Sequence, residues 1–175
     1  MNRLIAIVCL LVFLSGCGGP TKSGLEARAN AHRRMDSVNA DLAAQQAKQQ
    51  FEVGQFDKAI ETINAAIARY SENGNYHLLR GRILLEQRRL DAAFHALTKA
   101  ITLTPQLPEP HYFLGTLHQR WGEDEKALAE YKQAMVKDTS HPQYFLATAE
   151  THVALEQYDT AIELLTSSSQ EFQHH

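Results

Sequence analysis

The chain has almost no cysteine. Only Cys9 and Cys17 occur in 175 residues, so there is no disulfide framework and no C-x-x-C redox or metal motif. Proline and glycine are scarce too, at five and nine, so long stretches run without a helix breaker. No apolar–polar alternation of the kind that makes a half-buried strand is present. Basic residues number 17 against 20 acidic ones, with no basic stripe, which argues against a nucleic-acid partner. H-E-x-x-H, the nucleophile elbow and the phosphate-binding loop are all missing, and "SSS" at 167–169 has no paired base. Nothing points to catalysis, and no cofactor is called for. The longest apolar run, Leu4–Leu14, is eleven residues. That is too short to cross a hydrocarbon core of about 30 Å.

That run has a context. Arg3 supplies a positive start, Leu4–Phe13 the apolar centre, and the segment closes on "LSGCGG". The pattern predicts a signal peptide over residues 1–16. The Leu14-Ser15-Gly16-Cys17 ending resembles the lipobox of bacterial lipoproteins. The resemblance implies cleavage before Cys17, diacylation of its thiol and acylation of the new amino terminus. Each buried methylene contributes about 0.8 kcal/mol, so two or three chains anchor stably where one does not. Gly18, rather than an Asp, follows Cys17. By the enterobacterial sorting rule this implies an outer-membrane protein facing the periplasm. Cleavage leaves 159 residues, removes Cys9, and takes the basic count from 17 to 16, for a net charge of −4.

The mature chain is dominated by Ala, Leu, Gln and Glu, all good helix formers. It repeats every 34 residues without insertion, giving segments 40–73, 74–107, 108–141 and 142–175. Eighth positions are Ala47, Gly81, Gly115 and Ala149. Twentieth positions are Ala59, Ala93, Ala127 and Ala161, and twenty-seventh positions Ala66, Ala100, Ala134 and Ser168. All twelve are small. "GQFDKAI", "RRLDAAF", "GEDEKAL" and "EQYDTAI" recur at one register. This resembles the tetratricopeptide repeat. The resemblance implies an all-α, right-handed solenoid of antiparallel helix pairs, A and B, in about four repeats. Small residues let helices approach closely. Larger ones are expected to fill between: Phe51, Ile60 and Ile63; Leu84, Phe94 and Leu97; Leu114, Leu128 and Tyr131; Leu146, Ile162 and Leu165. Ahead of the array, "GGPTKSG" predicts a flexible linker over 17–24. Residues 25–39 predict a helical extension able to run into helix 1A.

Departures from the family pattern are informative. Fourth positions hold Ala43, His77, His111 and Phe145, and eleventh positions Gln50, Leu84, His118 and His152. Histidines in these packing sites read as structural, not as metal ligands, and His111 and His118 are too far apart for one tetrahedral site. No capping helix follows repeat four before "QEFQHH". That leaves three readings open: a partner on helix 4B, a short natural end, or a piece of a longer array. The resemblance further implies a concave groove lined by helix A positions 2, 5, 6, 9, 12 and 13. Candidate partner-binding residues are Lys48, Leu78, Arg82, Tyr112, Thr116, Arg120 and Glu150, with Phe51, Leu85, Phe113 and Leu146 beside them. The family's carboxylate clamp places Lys and Asn where this chain has Ala44 and Lys48, so the clamp is not supported. The expected function is a lipid-anchored periplasmic scaffold that holds a protein or peptide segment. It resembles pilotins and adaptors of peptidoglycan hydrolases. A purely structural spacer, or a non-catalytic subunit of a larger enzyme or metal-handling complex, stays open as an alternative.

Overall fold

The computed structural model describes residues 21–173. The expected signal peptide, Cys17 and His174–His175 lie outside them. Among the described residues there are eight helices and no strand. They are α1 (Lys22–Glu52), α2 (Phe56–Arg69), α3 (Gly74–Glu86), α4 (Leu90–Leu103), α5 (Glu109–Arg120), α6 (Asp124–Lys137), α7 (Pro142–Ala154) and α8 (Tyr158–Gln173). None is long and apolar enough to cross a membrane.

The chain divides at Val38 and Asn39. Before that point α1 is a solvated helix, with Leu25, Met35 and Val38 more than half exposed. It starts at Lys22, three residues inside the expected linker. The reason is a cap: Thr21 Oγ1 accepts from the Gly24 amide at 3.2 Å, and the Thr21 carbonyl accepts from the Leu25 amide at 2.9 Å. A threonine oxygen satisfying an orphan amide starts the helix despite Gly24.

From Asn39 onward the helices pair as A and B: α1 with α2, α3 with α4, α5 with α6, α7 with α8. Each A-to-B turn is built the same way. The sixteenth-position amide reaches back to the eleventh-position carbonyl: Gln55 to Gln50, Arg89 to Leu84, Glu123 to His118, and Gln157 to His152, all at 2.8–2.9 Å. This six-to-one bond is a Schellman cap, which requires a left-handed residue just before the donor. That residue is Gly54 (φ 75°), Arg88 (φ 56°), Gly122 (φ 74°) or Glu156 (φ 60°). Two of the four are not glycine, and they hold a conformation that costs L-residues about 1 kcal/mol or more. Glu156→Gly and Arg88→Gly are therefore each expected to stabilise by about 1 kcal/mol. Gly122→Ala is expected to destabilise by a similar amount. Beyond its chain neighbours, no atom of the described residues lies within 4 Å of where its Cβ would sit, so the change reads backbone strain alone. Urea denaturation measures all three.

All twelve small positions are buried, from 0% exposure at Ala47, Ala59 and Ala93 to 6% at Ser168. The eighth position is small because the twenty-fourth fills its space. A Cβ on Gly81 would stand 2.7 Å from Leu97 side-chain carbons, and one on Gly115 would stand 2.5 Å from the Tyr131 ring. Repeat one has Ala47 and Ile63 at these two positions, with no ring to fit. Both are fully buried.

Repeat four departs from expectation. Leu146, Ile162 and Leu165 are 50%, 64% and 43% exposed, not core. The counterparts of Leu165 in the earlier repeats, Ile63, Leu97 and Tyr131, are at most 2% exposed, because a following A helix packs over each B helix. Among the described residues α8 packs only on α7. Its second side has no such cover.

Candidate functional site: the A-helix face

Consecutive A helices lie side by side and touch. Tyr76 on α3 donates its hydroxyl to Asp41 on α1 at 2.5 Å. Burial, followed by the neighbouring Asp41 carboxylate, pushes the Tyr76 phenol up to about 12. Arg120 on α5 donates to the Leu85 carbonyl at the end of α3 at 2.5 Å. Gln143 on α7 donates to the Tyr112 hydroxyl at 2.7 Å, and Gln119 donates to Thr151 at 3.1 Å. Together the A helices form one continuous face of three joints.

The first joint opens into a cavity of about 460 Å³ between α1 and α3. Lys48, Leu78 and Arg82 line it together, so three of the seven candidate residues meet in one place. Leu78 is 9% exposed and forms apolar floor with Ala44. Lys48 is exposed, and its ammonium stands 3.9 Å from the Glu52 carboxylate one turn on. Arg82 is held between aromatic rings. Its guanidinium carbon is 5.0 Å from the centre of Phe51 and 5.1 Å from that of Phe113. The flanking residues come from the repeats before and after, so three A helices fix one side chain. Cation–π contacts of this kind contribute about 0.5–2 kcal/mol.

The other four candidates are elsewhere. Tyr112 is half-buried in a ring cluster, 5.6 Å from Tyr131 and 5.5 Å from Tyr144. Thr116 donates to the Tyr112 carbonyl at 3.2 Å and takes the Tyr131 hydroxyl at 3.3 Å. Tyr112 thus sits in the seam between repeats three and four, and Thr116 is bonded within repeat three. Arg120 is drawn to the α3 terminus and lines a separate cavity of about 580 Å³ with Glu86, Arg88 and Leu90. Glu150 is exposed on α7, apart from the cavity.

The four histidines at fourth and eleventh positions are tied into the scaffold. His118 and His152 donate through Nδ1 to Glu123 and Gln157, at 2.7 and 2.6 Å, pinning the A-to-B turn in repeats three and four. His77 donates through Nε2 to the Ser71 carbonyl at 2.9 Å, and His111 through Nδ1 to Glu130 at 2.8 Å. The Glu123 carboxyl is held below its usual range by Lys126 and then by His118. Among the described residues no three His, Cys, Asp or Glu side chains converge to hold a metal ion.

Antiparallel helix pairs at a fixed register, stacked A on A, define a helical-repeat array. The tetratricopeptide repeat family model matches residues 44–108. The crystal structure of MamA superimposes with a TM-score of 0.72 at 17% identity, covering 87% of this chain and 91% of that one. The Arabidopsis OM64 TPR domain gives 0.64 at 18%, covering 66% and 96%. The first TPR of Spaghetti (RPAP3), bound to the HSP90 peptide SRMEEVD, gives 0.65 at 15%, covering 69% and 95%. No curated protein matches the sequence. At these identities the likeness establishes the tetratricopeptide fold.

Proposed function

We propose that the protein is a non-catalytic adaptor that holds an extended protein segment along its A-helix face, tethered by lipid on Cys17 in the bacterial envelope. The observation that carries the binding role is the cavity lined by Lys48, Leu78 and Arg82, which combines an apolar floor with an arginine that pairs with no carboxylate among the described residues. A structural neighbour holds a peptide: the Spaghetti domain is bound to an HSP90 peptide. That supports a peptide-like occupant here.

The lipobox supports the anchor, and Gly18 supports an outer-membrane location facing the periplasm. In that setting the adaptor serves the assembly of an envelope complex, in the manner of pilotins or peptidoglycan-hydrolase adaptors. Cys17→Ser is expected to abolish incorporation of a fatty-acid probe and to leave the signal uncleaved. Label retained on the serine variant contradicts the anchor. Crosslinking in native membranes followed by pull-down tests the adaptor role. A spacer captures no partner in stoichiometric amount.

A further inference from the structure

Arg82 carries more than a groove. Its Nε is shut off from solvent and has no hydrogen-bond partner among the described residues. None of the ion pairs among the described residues includes it. The rings of Phe51 and Phe113 attract the guanidinium through their faces, yet they leave the in-plane N–H donors without an acceptor. The cavity does not supply one. Among the described residues its one lining carboxylate is Asp41, already taken by the Tyr76 hydroxyl. Its other cation, Lys48, is only loosely paired. The cavity thus holds one engaged carboxylate and two cations, one of them a guanidinium whose plane is set before any ligand arrives.

Building on the groove reading above, we propose that Arg82 is a preset site for the side-chain carboxylate of an Asp or Glu within an extended partner segment. A planar fork held in place loses little freedom on binding and suits one carboxylate. The site is mid-face, with repeats one and three on either side of a segment laid along α3. Leu78 lies four residues before Arg82, about 6 Å along the axis. An extended chain advances about 3.3 Å per residue and returns to the same side every second residue. The segment therefore places an apolar side chain on Leu78 and Ala44 two residues from its acid. The Gln45 and Asn75 side chains, which line the walls and make no hydrogen bond of their own among the described residues, are free to meet its backbone.

The test uses the full chain in detergent. The probes are synthetic Gly/Ser peptides, capped at both ends, carrying one Leu and one Asp two positions apart. Controls replace Asp by Asn. Capping removes the terminal carboxylate, so only the side chain is read. The Asp peptide is expected to bind about tenfold or more tightly than its Asn control, the scale of a charge-assisted hydrogen bond. Arg82→Gln is expected to erase that advantage, with Arg82→Lys recovering part of it. In wild type the Arg82 Nε–H resonance is expected to shift with the Asp peptide alone, which needs no variant to fold. Equal binding of both peptides with that resonance unmoved overturns the carboxylate site and leaves the groove intact. Failure to bind any of the peptides also overturns the site, while a native partner captured by crosslinking still upholds the groove.

Discussion

Tyr131→Ala is expected to destabilise the array by about 3–5 kcal/mol, the range for emptying a fully buried aromatic site. Tyr131 is 2% exposed. Its ring occupies the space above Gly115, stacks near Tyr112, and its hydroxyl donates to Gln119 at 2.7 Å. One truncation therefore opens a cavity at the junction of α5, α6 and α7 and leaves Gln119 without its donor. The same geometry sets the sign of Gly115→Ala. In an ordinary helix interior that change gains about 1 kcal/mol. Here the new Cβ would meet ring atoms at 2.5–2.6 Å, and the ring is boxed in by Tyr112. Overpacking of about 1–3 kcal/mol wins. Combining Gly115→Ala with Tyr131→Ile recreates the Ala47–Ile63 pairing of repeat one, so the double variant is expected to be more stable than the two single losses predict. Additive losses in a double-mutant cycle contradict the steric account.

The second large effect is removal of repeat three, residues 108–141, in register. Each repeat rests only on its neighbours, so the shortened chain is expected to fold with a lower melting temperature. Repeat four presents chemistry close to that of the repeat it replaces: His152 bonds Gln157 as His118 bonds Glu123, and Ala149 stands where Gly115 stood. The deletion also removes Phe113 from Arg82 and Arg120 from the Leu85 carbonyl. Its groove is accordingly expected to lose Arg82-dependent binding while its helix content per residue stays level by circular dichroism. Complete unfolding contradicts a quasi-one-dimensional stack.

The repeat register was readable because packing leaves a periodic mark. Alanine and glycine at positions 8, 20 and 27 are the sequence trace of close helix approach, and all twelve sites are buried. What a single repeat's pattern does not carry is contact across repeats. Phe51 and Arg82 are 31 residues apart, as are Arg82 and Phe113, three short of the repeat length. That offset makes them diagonal neighbours on adjacent A helices. The same spacing joins Tyr112 to Gln143. Reading position by position grouped Tyr112 with Lys48 and Arg82, although Tyr112 meets Gln143 on the diagonal and packs against Tyr131 and Tyr144. The exposure of Ile162 and Leu165 escaped for the complementary reason. Residue type marks them as core, and only a following helix makes them so.

Which face meets the partner is the central question, and site-specific photocrosslinking answers it directly. A crosslinking amino acid replaces Lys48, exposed at the A-helix cavity, and in a second variant replaces Val136, 71% exposed on α6. With the full chain in native membranes, the same partner adduct is expected from position 48 and none from position 136. Adducts from position 136 with none from position 48 would place binding on the B helices and contradict the account.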